Sequence, residues 1–204
     1  MIYNKRYLKG CDKVMPPIQR ITAEKIINSA FEILKEKGID SINARAIGKA
    51  LNCSTQPIFS QFKTMKELKE KLIRKARDLY NEYIKEALLK EKPFKASGLA
   101  YINFAKDEPQ LFKLLFMNDN KNSTPSPNEF DENHNEVLNK AISSTGFSSD
   151  DSEKIYFYLW IFVHGVATMI ATNTVKFTDE QIDDLLTTSY LAMKERINKE
   201  NKED

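Results

Sequence analysis

Residues 21–68 read ITAEKIINSAFEILKEKGIDSINARAIGKALNCSTQPIFSQFKTMKEL and contain three helical patterns separated by two short breaks. The first pattern starts at Thr22, whose hydroxyl can cap the free amide groups of a helix start. Apolar residues then recur at helical spacing as far as Leu34. Gly38 follows Lys35 and Lys37, which is typical of the residue just past a helix end. We therefore predict a first helix from about Thr22 to Lys37.

The second and third patterns are shorter. Asn43 can cap a helix of about two turns. The predicted buried face of this helix consists of Ala46, Ile47, Ala50 and Leu51. Ser54 can cap the third helix, and Pro57 is compatible with it because a proline costs little in the first helical turn. We predict that residues 54–62 form this third helix.

The third pattern is suited to reading DNA. A helix that enters the major groove must present short hydrogen-bonding side chains near its start, so that it can approach the base edges. Residues 54–62 supply serine, threonine and glutamine at these positions. The alternative is a capped surface helix of any all-helical protein, and the residues of this helix by themselves leave that alternative open.

The charge distribution favours the DNA-binding interpretation. Residues 1–80 contain 17 Lys and Arg against 8 Asp and Glu, a balance of +9, whereas residues 81–204 contain 14 against 21, a balance of −7. A positive excess confined to the N-terminal part favours a polyanionic partner for that part only. The residues predicted to contact DNA are Thr22, Asn43, Arg45, Ser54, Thr55, Gln56, Pro57, Phe59, Ser60, Gln61, Lys63 and Lys66.

This region resembles the DNA-binding domain of the tetracycline-repressor (TetR) family of bacterial transcriptional regulators. The resemblance covers the runs AFEILKEKGID, ARAIGKALN, CS, IFSQF and KTMKEL, in the order and spacing of that family. It implies an all-α fold of about nine helices. An N-terminal three-helix helix-turn-helix domain would precede a larger helical domain for ligand binding and dimerisation.

Three residues in the helix-turn-helix region are unusual. Phe59 stands where the family usually has a tyrosine, and Met65 stands where it usually has a lysine; both family residues usually touch phosphate. Lys63 or Lys66 would then have to supply the missing cation. Gly48 lies inside the second helix, where glycine costs about 1 kcal/mol relative to alanine. We predict that it permits a close approach to the first helix or to the DNA.

The remaining chain is predicted to be helical, with no competing strand pattern. A long helix should run from Met65 through Leu88, before Pro93 stops it. Further helices are predicted at 94–106, 109–117, 130–144, 151–172 and 178–198. Residues 118–128 are polar and contain two prolines, so they are predicted to be a flexible loop. The predicted divisions are a flexible arm (1–19), the helix-turn-helix domain (20–66) and the ligand-binding and dimerisation domain (67–204).

Aromatic residues are concentrated on the predicted helices of the C-terminal part. They can line a cavity or simply form the core, and a cavity with such walls favours a largely apolar ligand, which could be aromatic or cationic. The predicted pocket residues are Tyr101, Phe104, Phe112, Phe116, Tyr156, Trp160 and His164. A core or interface histidine is the alternative for His164.

The predicted helix at 151–172 is apolar nearly all round, so all its sides must be covered. A second subunit could cover one side through a four-helix interface, with Gly165 and Ala167 permitting close packing. The sequence Trp160-x-x-x-His164-Gly165 also resembles a motif of one TetR subfamily. The predicted interface residues are Phe162, Gly165, Val166, Met169, Leu186 and Tyr190.

Other functional classes find little support in the sequence. Cys11 and Cys53 form no disulfide framework or metal motif, and we predict no metal and no cofactor. His134 and His164 lack a neighbouring nucleophile, so we do not expect an enzyme. The N-terminus lacks a secretory segment and we identify no apolar run of about 18 residues, so we expect a cytoplasmic protein without membrane association.

The resemblance implies a homodimeric repressor that binds a palindromic operator in double-stranded DNA. A small-molecule effector that favours a different separation of the two recognition helices would release the DNA. The alternative is a DNA-binding protein whose C-terminal domain binds a protein partner without a small-molecule inducer.

Overall fold

The computed structural model describes residues 21–117, 134–145 and 147–203. Within these ranges the secondary structure is entirely helical, as predicted, with a 3₁₀ turn at Ile39–Ser41. The α-helices are α1 (Ala23–Lys37), α2 (Ala44–Ala50), α3 (Gln56–Gln61), α4 (Met65–Leu88), α5 (Pro93–Asp107), α6 (Pro109–Phe116), α7 (His134–Thr145), α8 (Ser149–Ala171) and α9 (Asp179–Glu203). The predicted arm, the predicted loop at 118–128 and the predicted helix start at residue 130 lie outside the described residues.

Local capping determines where the first helices begin. The Lys25 amide donates to Thr22 Oγ1 at 3.2 Å, and the Ala46 amide donates to Asn43 Oδ1 at 2.9 Å. Each bond satisfies an amide that has no partner inside its own helix. Both predicted caps are therefore confirmed.

The inward face of α2 differs from the predicted one. Its buried residues are Ala44, Ile47 and Gly48, with Leu51 half-buried, whereas Ala50 is exposed. The inward residues are therefore spaced three or four positions apart, as on one face of a helix, and Ala50 lies on the opposite face. The prediction that Ala50 is buried is wrong.

The turn between α2 and α3 corrects two further predictions. The position that precedes α3 is Thr55, without a side-chain cap, so the predicted Ser54 cap is wrong; Pro57 does lie in the first turn. Gly48 permits a close approach to this turn, whose atoms, and not those of α1, are the nearest to a Cβ atom placed on Gly48. A Cβ atom on Gly48 would lie 2.8 Å from the Cys53 carbonyl oxygen, and the Cys53 amide donates to the Gly48 carbonyl at 2.8 Å.

One continuous hydrophobic cluster connects α1–α3 with the longer helices. In α3, Ile58 is fully buried and points towards the core; just past α3, Phe62 is 2% exposed. In the C-terminal part, α5 packs between α4 and α8, while α7 and α9 cover further sides of α5 and α8. This arrangement surrounds a cavity with five helices and leaves the outer side of α8 open to solvent.

Helix α8 is long and apolar enough, by length and composition alone, to cross a membrane. The expectation that no segment is this apolar is therefore wrong for α8. A core helix can meet the same criterion, and α8 packs against α5, α7 and α9 along its inner side. Tyr158 and Ile161 lie on its outer side, each 49% exposed.

Candidate nucleic-acid interface and ligand cavity

The outward side of α3 consists mainly of short polar side chains. Gln56, Ser60 and Gln61 are exposed, because Ile58 and Phe62 occupy the opposite side and hold the helix against the core. The Ser60 hydroxyl donates to the Gln56 carbonyl at 2.9 Å, and its oxygen can still accept a hydrogen bond. Phe59 interrupts this polar surface with an aromatic ring that is 52% exposed.

The other predicted DNA contacts lie around this surface. Ser54, Arg45, Lys63 and Lys66 are exposed, whereas Thr55 and Pro57 are half-buried in the first turn of α3. Thr22 and Asn43 are exposed at the starts of α1 and α2, although a cap hydrogen bond already engages each side chain. These positions offer hydrogen-bonding groups from three helix starts, with cations beside α2 and α4.

A cavity of about 340 Å³ lies among α4, α5, α7, α8 and α9. Its walls are mainly apolar and aromatic, which is typical of a small-molecule site. Of the predicted pocket residues, Tyr101, Tyr156 and Trp160 line the cavity, and Phe104, Phe112, Phe116 and His164 do not. The predicted pocket residues do not include Tyr80 and Phe94, two aromatic residues that also line the cavity.

Of the predicted aromatics that do not line the cavity, Phe112, Phe116 and His164 pack against Tyr101. Phe104 packs against Tyr80 and Tyr83 of α4. The ring of Tyr101 packs edge-on against Phe112 with centroids 5.4 Å apart, and its hydroxyl lies 2.9 Å from His164 Nδ1. His164 in turn stacks on Trp160 at 5.2 Å. Burial lowers the pKa of His164, so its imidazole is neutral at neutral pH.

Helix α9 contributes a wall of the cavity, although its residues Leu186 and Tyr190 are predicted from the sequence to lie at the subunit interface. Leu186 and Tyr190 line the cavity, and Leu186 is 6% exposed. Val166 of α8 is also buried within the protomer, at 3% exposure. These side chains therefore form part of the subunit interior, whereas Phe162, Gly165 and Met169 are half-buried on α8. A Cβ atom on Gly165 would contact nothing within 4 Å.

Charged groups occur at one end of the cavity, where α5 begins. Lys95 Nζ lies 2.5 Å from Asp183 and donates to Thr187 Oγ1 at 2.9 Å, so it bridges α5 and α9. Glu91 and Lys92 also contribute to this part of the lining. A ligand with an apolar body can therefore fill the interior while a polar group reaches these side chains.

Three consecutive residues at the α5–α6 junction attach to three different helices. Lys106 pairs with Asp179 of α9 at 2.8 Å, and Asp107 accepts a hydrogen bond from the Tyr83 hydroxyl of α4 at 3.2 Å. Burial, aided by the Asp107 charge, raises the pKa of Tyr83 to about 12. Glu108 pairs with Lys35 of α1 at 2.6 Å. The hydrogen bond to Glu108 raises the pKa of Lys35, so the Lys35 ammonium group is charged at neutral pH.

The described residues contain no group of three histidine, cysteine or acidic side chains that could hold a metal ion. Cys53, in the turn before α3, is a free thiol.

Comparison with known proteins identifies the C-terminal part. The family model described as "Tetracyclin repressor-like, C-terminal domain" matches residues 94–192, just under half of the chain. No curated protein matches the sequence. The fold is similar to the crystal structure of a TetR-like transcriptional regulator from Rhodococcus sp. RHA1, with a TM-score of 0.56 and 14% identity over 82% of this chain and 92% of that chain.

A second solved structure is more distant. It is a TetR variant from Acinetobacter baumannii AYE in complex with minocycline, with a TM-score of 0.46 and 16% identity over 89% of this chain and 97% of that chain. The family match agrees with the all-helical architecture of the residues that the structure describes. Residues 94–192 therefore match a tetracyclin repressor-like C-terminal domain, and the fold of the chain resembles that of a TetR-like transcriptional regulator.

Proposed function

We propose that this protein is a homodimeric, DNA-binding repressor that recognises a palindromic operator and is released by a small, largely apolar ligand. The observation that carries the proposal is that α3 exposes a polar surface. On its other side, the buried side chain of Ile58 packs into the same hydrophobic core that surrounds the cavity. In this proposal, residues 20–66 bind DNA, residues 67–204 bind ligand and dimerise, residues 1–19 form an arm, and the protein acts in the cytoplasm.

Dimerisation is supported by the outer side of α8. Tyr158 and Ile161 are both about half exposed, and the half-buried residues Phe162, Gly165 and Met169 follow them at helical spacing on the same side of α8. Scattered exposed apolar side chains need no explanation, but a continuous helical stripe of them favours a protein contact. A second copy of α8 would match this stripe, because a two-fold interface brings the same surface of both subunits together.

Ligand control requires that the cavity communicate with the DNA-binding helices. Tyr101 in the cavity wall packs on Phe112 of α6, and Glu108 immediately before α6 pairs with Lys35 of α1. At the end of α1, Gly38 lies so close to α6 that a Cβ atom would come within 3.0 Å of Gln110 Oε1. A ligand that displaces Tyr101 would therefore act on α1 through a short series of contacts. The ligand shifts the equilibrium only by its difference in affinity for the two conformations.

The first test is fluorescence anisotropy of the full chain on the DNA upstream of its own gene, against a shuffled duplex, across a salt series. We expect saturable preference for the native fragment, with two subunits per site. Replacing Lys63 by alanine should weaken binding to both duplexes alike and reduce the slope of log K against log salt by about one unit per bound subunit.

The matched control for Lys63 is Lys90→Ala, which removes another exposed lysine in the turn between α4 and α5. It should leave the salt slope unchanged. An unchanged slope in Lys63→Ala would show that Lys63 does not contact phosphate. Equal, weak binding of the wild-type chain to both duplexes would argue against an operator in that fragment.

The ligand part is tested by screening apolar and aromatic compounds for a rise in melting temperature. A ligand at about one hundred times its Kd should raise the melting temperature by roughly 5–10 °C and release the operator. Trp160→Leu replaces a large aromatic ring of the cavity wall with a smaller side chain. It should weaken ligand affinity about tenfold without changing operator affinity in the absence of ligand.

Phe116→Leu is the control for Trp160→Leu, because Phe116 is also aromatic but lies outside the cavity lining. It should change ligand affinity much less. A compound that binds the cavity without affecting the operator would contradict ligand control. It would favour the alternative, in which the C-terminal domain binds a protein partner.

A further inference from the structure

Phe59 is the unusual residue of the outward α3 surface. Its neighbours there, Gln56, Ser60 and Gln61, are polar, while Phe59 has no atom that can donate or accept a hydrogen bond. About half of its surface is nevertheless exposed to solvent, at 52%. Among the large apolar side chains of residues 21–64, it is the one that the fold leaves exposed.

Packing within the subunit does not account for Phe59. The anchoring of α3 rests on Ile58, which is fully buried, and on Phe62, which is 2% exposed. The core cluster that includes these two residues does not include Phe59. In the part of the chain that the structure describes, no aromatic ring or cation stacks on Phe59. Its apolar surface is therefore available to a partner that approaches α3 from outside.

The proposed function supplies that partner. Base edges in the major groove present hydrogen-bond donors and acceptors together with one apolar group, the C5-methyl group of thymine. Gln56 lies three positions before Phe59 on the same side of the helix, so a helix that brings Gln56 to a base edge also brings Phe59 close to the groove. Phe59 cannot bind phosphate through a hydrogen bond, which leaves apolar contact as its contribution.

We propose that Phe59 is a specificity-determining residue that recognises thymine in each operator half-site through contact with the C5-methyl group. This inference rests on the proposed DNA-binding function. It predicts a preference that the polar residues of α3 do not explain, because deoxyuridine presents the same hydrogen-bonding pattern as thymidine and lacks only the methyl group.

The experiment starts by selecting duplexes from a random library with the full-length protein. Each thymine of the selected operator is then replaced by deoxyuridine, at symmetric positions of the two half-sites, and affinity is measured by anisotropy. Loss of one buried methyl contact corresponds to about a fourfold loss of affinity, and loss of both to about 15-fold. We expect this loss at one symmetric thymine pair.

A double-mutant cycle then assigns the effect to Phe59. Phe59→Ala should bind the thymine and deoxyuridine operators with equal affinity, whereas the matched variant Gln56→Ala should keep the preference for thymine. Phe59→Leu retains an apolar side chain and should keep part of the preference for thymine. This variant also covers the case in which Phe59→Ala binds DNA too weakly to measure. Circular dichroism melting checks that each variant is folded.

Two failures can be distinguished. If the library yields no preferred sequence, the proposed DNA-binding function is overturned, and this inference with it. If an operator is selected but tolerates deoxyuridine at every position, the role of Phe59 is overturned while DNA binding stands. The same conclusion follows if Phe59→Ala discriminates thymine from deoxyuridine as strongly as the wild-type chain does.

Discussion

Replacing Ile161 by glutamate should convert the protein into a monomer and weaken operator binding at least 100-fold. Ile161 is 49% exposed in the middle of the outer apolar stripe of α8. In a two-fold dimer each substitution occurs twice, so two carboxylates would be introduced into one apolar contact. The loss of affinity follows because joining two DNA-binding units typically multiplies affinity by 10²–10⁴. Light scattering measures the mass, and anisotropy measures DNA binding.

Leu89→Glu is the matched control, because Leu89 is an 84% exposed leucine just past the end of α4 and is not part of the α8 stripe. It should preserve both the dimer and the operator affinity. If Ile161→Glu remained dimeric with full affinity, the subunits would associate through another surface. If it became monomeric with unchanged affinity, DNA binding would not depend on dimerisation.

Replacing Gly48 by alanine should destabilise the helix-turn-helix region and weaken operator binding at least tenfold. Helix propensity alone predicts the opposite, a gain of about 1 kcal/mol. The new Cβ atom would lie 2.8 Å from the Cys53 carbonyl oxygen, and a backbone atom cannot move away by changing rotamer. Overpacking of this kind costs about 1–3 kcal/mol, and the displaced turn would shift α3 relative to α2. Thermal melting and anisotropy measure the two effects.

Gly98→Ala provides a comparison within α5. A Cβ atom there would meet its nearest neighbours, side-chain atoms of Val163 and Leu186, at 3.4 Å and 3.6 Å. These distances are much less restrictive, so the melting temperature should change little and operator affinity should be preserved. An unchanged or higher melting temperature in Gly48→Ala would contradict the assigned role of Gly48.

The sequence predicted the helical architecture because helix limits depend on neighbouring residues. The hydroxyl of Thr22 and the side chain of Asn43 bond to amides only three residues away, and Pro93 lies in the first turn of α5, where a proline costs little. The predicted limits of α4, α6 and α8 agree with the observed helices to within two residues. The predicted cap at Ser54 is wrong because Thr55 is the residue that precedes α3, while Ser54 belongs to the turn that packs closely against Gly48.

By itself, the sequence determined the helix order, the exposed polar surface of α3 and the concentration of aromatics in the C-terminal part. Only the tertiary structure decided which apolar side chains line the cavity, which lie behind it and which remain on the outer side of α8. Leu186 was expected at a subunit interface and lines the cavity, while Phe112 was expected in the cavity and lies behind it. The physical reason is that the hydrophobic effect has no direction. Apolar side chains suit a core, a cavity wall or an interface equally well, and the packing of helices distant in sequence decides among them.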